Sequence, residues 1–259
     1  MKITNFCSMG CSHCMENSTI QGAHMTREVF LKTLKFVQSV EMMAYSGGAP
    51  RLLLLSGGEC TEHPDFLWFL QTAEEHRFQI LLITNGMWLN REDIRSEILR
   101  PGREILVQVT NDLRFYPSAP PKVEDRRISY VDRLTNLLPL GRAMDKNGVR
   151  KSISDSGLPL KNAPSSFNLR SMTRSFGSFS KAVSYARLRA ASGMSGHCSP
   201  SVSSDGSVVA GETNLCYVLG SVYSTEEQLT SNVLNMGSCN RCGLESNLLP
   251  THRAAIGLE

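Results

Sequence analysis

The sequence lacks any apolar run that approaches the roughly 18 residues of a membrane-spanning helix, so we expect no membrane partner. Its first residues also lack the apolar segment of a secretory signal peptide, which predicts a cytoplasmic protein. The net charge of +3 is too small to indicate nucleic acid as a partner. What remains is a chain of 259 residues, 41% apolar and 20% charged, a composition typical of a globular protein.

The chain has eight cysteines, and most of them lie near its two ends. The eight positions are Cys7, Cys11, Cys14, Cys60, Cys198, Cys216, Cys239 and Cys242. A secreted disulfide scaffold is usually short and cysteine-dense, which does not fit this length. In a reducing compartment, bunched cysteines indicate metal ligation, and the alternative is a set of buried, inert thiols.

The first hundred residues alternate strand and helix signals. Strands are predicted at 3–6, 51–55, 79–83 and 104–109, and helices at 26–42, from Pro64 and from Asn90. Thr26 is the expected N-cap of the first helix. This order predicts a parallel sheet with right-handed crossovers, either a partly closed barrel or an open doubly wound sheet. In both, the chemistry is expected at the carboxyl ends of the strands.

The pattern weakens after about residue 112. From Arg142 to Arg189 there are ten Lys or Arg residues against two Asp. This stretch is interpreted as a solvated basic surface, and the alternative is a surface that meets an anionic substrate or RNA.

Three cysteines form the pattern CxxxCxxC directly after the first predicted strand, at Cys7, Cys11 and Cys14. Cysteine thiolates on a loop are the usual ligands of iron–sulfur clusters. Three ligands on a four-iron cluster leave one iron open to a small molecule. The alternative is a zinc site completed by His13 or His24.

Polar or glycine residues follow each of the next three predicted strands, where they are expected to converge with the cysteine loop. They are Gly57, Gly58, Glu59, Thr84, Asn85, Thr110 and Asp112. Adjacent glycines allow close backbone approach, and a carboxylate suits an ammonium group. Thr110 and Asp112 could form hydrogen bonds with ribose hydroxyls. The alternative is that Gly-Gly and Asn-Gly only mark turns.

Taken together, CxxxCxxC, the Gly57-Gly58-Glu59 motif and the later strand ends resemble the radical S-adenosylmethionine (SAM) superfamily over about residues 1–145. The resemblance implies a partial (β/α)6 TIM-type barrel. It implies a [4Fe–4S] cluster on the three cysteines, with SAM on the open iron and on the strand-end residues listed above. Two positions depart from the family pattern. His13 stands where an aromatic, carbocyclic residue is common, and Cys60 where proline often follows the glutamate.

The second cysteine set is Cys198, Cys216, Cys239 and Cys242, with an Asp205-Gly206 hairpin signal between the first two. Four thiolates close a zinc or [4Fe–4S] site completely. The segment resembles the twitch extension, the short relative of the SPASM domain, which implies a second [4Fe–4S] cluster. The expected division is a barrel at 1–190 and a small hairpin-and-helix domain at 191–259.

Two further residues are catalytic candidates. Cys60 lies beside the expected SAM site, where it could donate a hydrogen atom, and the alternative is a packed thiol. Arg142 lies in a Leu-Pro-Leu-Gly-Arg stretch that resembles one in SPASM and twitch enzymes. There it could face the active site, and the alternative is a surface arginine.

The resemblance implies an enzyme that cleaves SAM reductively to a 5′-deoxyadenosyl radical, with net oxidation of a peptide or protein side chain or of a small metabolite. It also implies an external electron donor such as flavodoxin or ferredoxin. Two alternatives are an RNA-modifying enzyme of the same class and a non-enzymatic zinc or iron–sulfur protein that senses redox state. The last would leave the Gly-Gly-Glu motif without a purpose.

Overall fold

The computed structural model describes residues 1–41, 51–111, 116, 118–131, 142, 166–191, 200–211, 214 and 216–236. For 166–168, 171 and 186–191 it describes the backbone alone. Four predicted site residues lie outside these ranges: Asp112, Cys198, Cys239 and Cys242. None of the helices in the described part of the chain is long and apolar enough to cross a membrane.

The N-terminal part alternates strands and helices, as predicted. Its elements are β1 (Lys2–Thr4), α1 (Arg27–Glu41), β2 (Arg51–Gly57), α2 (Phe66–Glu75), β3 (Phe78–Thr84), α3 (Glu92–Ile98), β4 (Ile105–Thr110) and β5 (Ile128–Val131). The helix starts follow local chemistry. Thr26 accepts a hydrogen bond from the Val29 amide at 3.2 Å, which confirms it as the first cap. The prediction for Asn90 is wrong, since Arg91 precedes α3 without a side-chain cap.

The five strands form one parallel sheet in the order β1-β2-β3-β4-β5. Each strand lies beside the next in the chain, so the strand order never reverses. A doubly wound sheet requires such a reversal, and a barrel does not. The fold is therefore the partial TIM-type barrel, as the sequence resemblance implied, with five of its strands in the described residues.

Side chains along each strand alternate between two unequal faces. Leu53, Leu55 and Ile80 are buried and belong to the same core as the helices. Leu52 and Leu54 point to the other face and are 41% and 36% exposed. A continuous apolar run such as that at 51–55 is typical of a strand buried on both faces, an expectation that is wrong for this face. Because the crossover helices cover one face only, the other becomes the concave interior of the partial barrel.

Aromatic rings join the first two helices over the sheet. Phe30 of α1 and Phe69 of α2 are both fully buried, and their rings stack at 4.2 Å between centroids. His63 lies 4.5 Å from the Phe69 ring. Its Nε2 donates to the Met25 carbonyl at 2.9 Å, while its Nδ1 accepts from the Asp65 amide at 2.9 Å. The imidazole is therefore held neutral, in agreement with a pKa that burial lowers.

The C-terminal part adds two helices, a sheet and a last helix: α4 (Ser166–Phe176), α5 (Phe179–Ala191), β6 (Ser201–Val202), β7 (Ser207–Val209), β8 (Val218–Ser221) and α6 (Glu226–Asn235). The three strands are antiparallel. The turn between β6 and β7 confirms the predicted Asp-Gly hairpin, with Gly206 at a φ of +84°. The Thr225 hydroxyl and the Gln228 side chain form a capping box at the start of α6.

This C-terminal part packs on α1 of the barrel. The Ser184 hydroxyl of α5 donates to the Val40 carbonyl at 2.9 Å. The Lys32 ammonium lies 5.6 Å from the centre of the Tyr223 ring, after β8. Residues before position 190 (Ser184) and after it (Tyr223) therefore both contact α1. The predicted division at 190/191 stays a prediction.

Replacing Phe69 by Ala should destabilise the fold by about 3–5 kcal/mol, because a fully buried ring leaves a cavity against Phe30. Urea unfolding followed by circular dichroism measures the change. Leu31→Ala is the matched control, since Leu31 lies on α1 but is 36% exposed. It should stay within about 0.5 kcal/mol of the parent. A Phe69→Ala loss no larger than the control's would show that the aromatic contact is not part of the core.

Candidate active site

The three-cysteine loop leaves the sheet at the carboxyl end of β1 and is held by its own backbone. The Cys7 amide donates to the Thr19 carbonyl at 3.0 Å, and the Cys14 amide to the Cys11 carbonyl at 3.3 Å. Gly10 turns the chain between them with a φ of +61°, a conformation that favours glycine. All three thiols are half-buried and none is in a disulfide. The loop thus places three thiols at the carboxyl end of β1.

The electrostatics of the loop disfavour thiolates in the absence of a cation. Burial raises the pKa of the Cys7 thiol to about 11, and the Glu59 and Glu62 carboxylates add to the effect. Burial and then the neighbouring thiols of Cys7 and Cys14 raise the pKa of Cys11 to about 12. Backbone amides of Met9 and Gly10 oppose the shift at Cys7 by hydrogen bonding to its sulfur. An iron–sulfur cluster supplies the positive charge that would make all three ionise.

The donor set has the chemistry of an iron–sulfur site, because it consists of three cysteine thiols on one loop. In the described residues, no three His, Cys, Asp or Glu side chains form a group that could hold one metal ion. A tetrahedral zinc with bonds of 2.3 Å needs sulfurs about 3.8 Å apart, whereas a cubane cluster binds its thiolates at separate corners. Both the cluster and the zinc alternative with His13 or His24 stay predictions.

The Gly-Gly-Glu segment at the end of β2 is bonded directly to the strand and loop that carry the cysteines. The Gly58 amide donates to the Thr4 carbonyl at 2.9 Å and the Glu59 amide to the Phe6 carbonyl at 2.8 Å. A Cβ on Gly57 would lie 2.3 Å from the Thr4 oxygen, and one on Gly58 would lie 2.2 Å from the Phe6 oxygen. Any side chain at either position would therefore push the two segments apart. These glycines serve close approach rather than only a turn.

Glu59 is 1% exposed, and its carboxylate joins the ends of β2 and β3. Oε1 accepts from the Thr61 amide at 3.1 Å, the Thr61 hydroxyl at 2.6 Å and the Thr84 hydroxyl at 2.7 Å. Oε2 accepts from the Asn85 amide at 2.7 Å. Burial raises the pKa of this carboxyl, and these hydrogen bonds oppose the shift. Since each carboxylate oxygen has about two acceptor positions, Oε2 keeps capacity for a further donor such as an ammonium group.

The hydrogen-bonded edge continues to β4 and back to the cysteine loop. The Thr110 hydroxyl donates to the Thr84 carbonyl at 3.1 Å and also bonds the Tyr116 hydroxyl. The Tyr116 ring lies 5.9 Å from the His13 ring, centre to centre. The structure therefore brings together the predicted residues at the ends of β2, β3 and β4, while Asp112 lies outside the described residues. Their role as SAM ligands stays a prediction.

Arg142 binds the cysteine loop. Its Nε donates to the Cys11 carbonyl at 2.9 Å, its Nη2 to the Ser18 carbonyl at 2.8 Å, and its own amide to the Cys14 carbonyl at 3.0 Å. Its positive charge also opposes, in part, the rise in the pKa of the Cys11 thiol. The residue is only half-buried, so the choice between an active-site and a surface arginine stays a prediction. Arg142 is placed as a residue that positions the loop, and contact with a substrate stays a prediction.

Cys60 is completely buried, in the core beneath β2 and β3. Its thiol donates to the Ile83 carbonyl at 3.3 Å, and burial raises its pKa well above the ordinary value. These contacts favour the packed-thiol interpretation over a role in hydrogen-atom transfer, which stays a prediction that the geometry does not support. In the far set, Cys216 is half-buried just before β8. Cys198, Cys239 and Cys242 lie outside the described residues.

Two residues of the site were missed from the sequence. Glu62 accepts from the Ser8 amide at 2.9 Å and bonds the Ser8 hydroxyl, which ties the turn after β2 to the cysteine loop. Tyr116 closes the edge between β4 and His13. Neither residue lies in a recognisable local pattern. A carboxylate three positions beyond Glu59 and a tyrosine in a proline-rich stretch carry no signal of their partners.

One family model matches the chain. Residues 1–106 match the model of the radical SAM superfamily. The match spans the cysteine loop and the Gly-Gly-Glu segment and ends within β4. No curated protein matches the chain.

Two solved structures are similar in outline. One is the crystal structure of BtrN in complex with AdoMet and 2-DOIA: identity is 14%, the TM-score is 0.49, and 98% of this chain and 87% of that chain are covered. The other is selenomethionine BtrN in an open conformation, with 15% identity, a TM-score of 0.48, and coverage of 94% and 87%. Both TM-scores are below 0.5 and both identities are at or below 15%, so neither similarity supports a shared function.

The raised thiol pKa values predict slow alkylation of Cys7 and Cys11 in the cluster-free protein, because only the thiolate reacts. Their rates should rise about tenfold per pH unit between about pH 8 and pH 10. Timed iodoacetamide labelling with mass spectrometry measures this, and the same protein in urea is the control. The protonated thiols also stabilise the folded apoprotein below the ordinary pKa of 9.0, and this stabilisation is lost as the pH rises through about 11. Rates at Cys7 that level off by about pH 9 would contradict the burial effect.

Gly58→Ala should remove most of the bound iron, because the new Cβ meets the Phe6 oxygen and displaces the adjoining Cys7. The collision should also cost about 1–3 kcal/mol of stability. Iron per chain after anaerobic reconstitution and urea unfolding measure both effects. Gly177→Ala is the control, since a Cβ there meets nothing within 4 Å although its φ is +65°. It should lose about 1–2 kcal/mol and keep its iron. Equal iron in both variants would show that close approach at Gly58 does not matter for the cluster.

Proposed function

We propose that this chain is a radical SAM enzyme that oxidises a peptide or protein side chain or a small metabolite. In this proposal Cys7, Cys11 and Cys14 ligate a [4Fe–4S] cluster and leave one iron for the amino and carboxylate groups of SAM. The match of residues 1–106 to the superfamily supports the class. The substrate is proposed only as a chemical type, since nothing in the described residues selects among them.

The observation that carries the proposal is the direct bonding of the Gly-Gly-Glu segment to the cysteine loop. The amides of Gly58 and Glu59 donate to the Thr4 and Phe6 carbonyls, three residues and one residue before Cys7. A ligand bound to an iron held by these cysteines would therefore lie against the end of β2. A zinc or redox-sensing protein would need the three thiols but would have no use for this contact.

The chain's own residues would then have separate tasks. Arg142 fixes the carbonyls of the loop, and so orients its three thiolates. Glu59 Oε2 has capacity for the SAM ammonium group, with Gly57 and Gly58 leaving room for it. Thr84, Asn85 and Thr110 form the polar edge along which the rest of SAM would lie, beside His13. When loaded, the cluster and SAM supply a 5′-deoxyadenosyl radical that takes a hydrogen atom from the substrate.

The second cysteine set is proposed to hold another [4Fe–4S] cluster on Cys198, Cys216, Cys239 and Cys242. Four thiolates would leave no iron open, a donor set suited to accepting an electron rather than binding a substrate. Cys216, half-buried directly before β8, is the cysteine of this set that lies in the described residues. An external reductant of the flavodoxin or ferredoxin type would complete the electron supply.

The test is reductive cleavage of SAM by the anaerobically reconstituted protein. With dithionite and SAM it should form 5′-deoxyadenosine, detected by chromatography, and should contain about eight irons per chain if both clusters are present. Cys11→Ala should lose the product, because the SAM-binding cluster loses a ligand, and should keep about four irons.

Glu28→Ala is the control, because Glu28 is an exposed residue in the first turn of α1. It should keep product formation. A protein with a full complement of iron that forms no 5′-deoxyadenosine would refute the proposed activity, and zinc in place of iron would support the sensing alternative.

A further inference from the structure

A buried ion pair links β1 to the residues that follow the third cysteine. The Lys2 ammonium lies 2.7 Å from Oε1 of Glu16, and the two side chains are 4% and 12% exposed. Glu16 is two residues beyond Cys14. Taking two charges out of water costs several kcal/mol per ion, so a buried pair requires close geometry and further hydrogen bonds. The Lys2–Glu16 pair is therefore not an ordinary ion pair of the protein surface.

Glu16 reaches across to the C-terminal sheet with its other oxygen. Oε2 accepts from the backbone amide of Asn214 at 3.0 Å, a contact between residues 198 positions apart. The Asn214 side chain in turn accepts from the Ser203 hydroxyl at 2.8 Å, next to β6. Cys216 follows two residues later. One carboxylate is thus shared between the loop that carries Cys14 and the segment that carries Cys216.

The contact joins two residues that each lie close in sequence to a cysteine. Glu16 is two residues after a cysteine of the first set, and Asn214 is two residues before a cysteine of the second. A hydrogen bond to a charged acceptor contributes more than a neutral one. The Glu16 side chain is only 12% exposed, and its removal leaves the amide of the half-buried Asn214 without its charged acceptor.

We propose that Glu16 is a positioning residue that fixes the Cys216 segment against the Cys14 loop, and that Lys2 neutralises its charge beside the first cluster. The functional part of this inference rests on the proposed function, since a fixed distance between the two cysteine sets matters if both hold redox centres. The hydrogen bond between Glu16 and Asn214 does not depend on the proposed function. The two parts need different measurements, so a failure of one is distinguishable from a failure of the other.

The first experiment tests the contact, by hydrogen–deuterium exchange on the reconstituted protein. In Glu16→Ala the Asn214 amide should exchange about tenfold faster or more, because its charged acceptor is gone. The amides of β8, which pair with β7, should not change. Glu28→Ala is the matched control, an exposed glutamate in the first turn of α1. It should leave the Asn214 exchange rate unaltered. Unchanged exchange in Glu16→Ala would overturn the inference.

The second experiment tests the charge, by measuring the midpoint potential of the first cluster. Glu16→Gln leaves the Lys2 cation near the cluster without its carboxylate, so the potential should rise. Lys2→Met leaves the Glu16 carboxylate uncompensated, so the potential should fall. The double variant should return close to the parent. A purely structural role would shift both single variants in the same direction, and that result would overturn the neutralising role of Lys2.

The outcomes also separate this inference from the proposed function. If the protein binds no iron and forms no 5′-deoxyadenosine, the proposed function fails while the Asn214 exchange rates still test the Glu16 contact. If 5′-deoxyadenosine forms but the Glu16 variants match the parent in exchange and potential, the proposed function stands and this inference fails.

Discussion

The site depends on the backbone contact between the end of β2 and the chain that leaves β1. Two amides, of Gly58 and Glu59, donate to two carbonyls, of Thr4 and Phe6. The contact is possible only because Gly57 and Gly58 lack a Cβ. Parallel strands wound in chain order bring all their carboxyl ends to one edge, but they do not fix the loops there. These hydrogen bonds turn a shared edge into a site of defined geometry.

Charge balance is the second constraint on the same loop. Burial raises the pKa of the Cys7 and Cys11 thiols, and nearby carboxylates at Cys7 and the neighbouring cysteines at Cys11 add to the effect. Arg142 supplies a positive charge that opposes the shift at Cys11. A cationic cluster would reverse this preference, so ligand binding and thiol ionisation are coupled. The carboxylates of Glu59 and Glu62 accept hydrogen bonds from protein donors, and Glu59 Oε2 keeps capacity for one more.

The sequence predicted what is local and missed what is distant. The spacing of Cys7, Cys11 and Cys14, the strands and helices of the barrel, and the Asp-Gly hairpin are all encoded within a few residues. The order of strands and helices alone did not separate a barrel from a doubly wound sheet, whereas the family resemblance implied the barrel and the strand order of the sheet confirms it. The exposure of Leu52 depended on which face the helices cover. Glu16 could not be predicted as a bridge, because its partners are 14 and 198 positions away.

The most direct test of the central claim is electron paramagnetic resonance of the reduced, reconstituted protein before and after addition of SAM. Three thiolate ligands leave one iron open, so SAM should bind it and change the g values of the cluster signal. Cys14→Ala, which lacks one ligand, should lose that response. A reduced four-iron signal from the parent that SAM leaves unchanged would contradict the account, because it would mean that the cluster at this edge has no site for SAM.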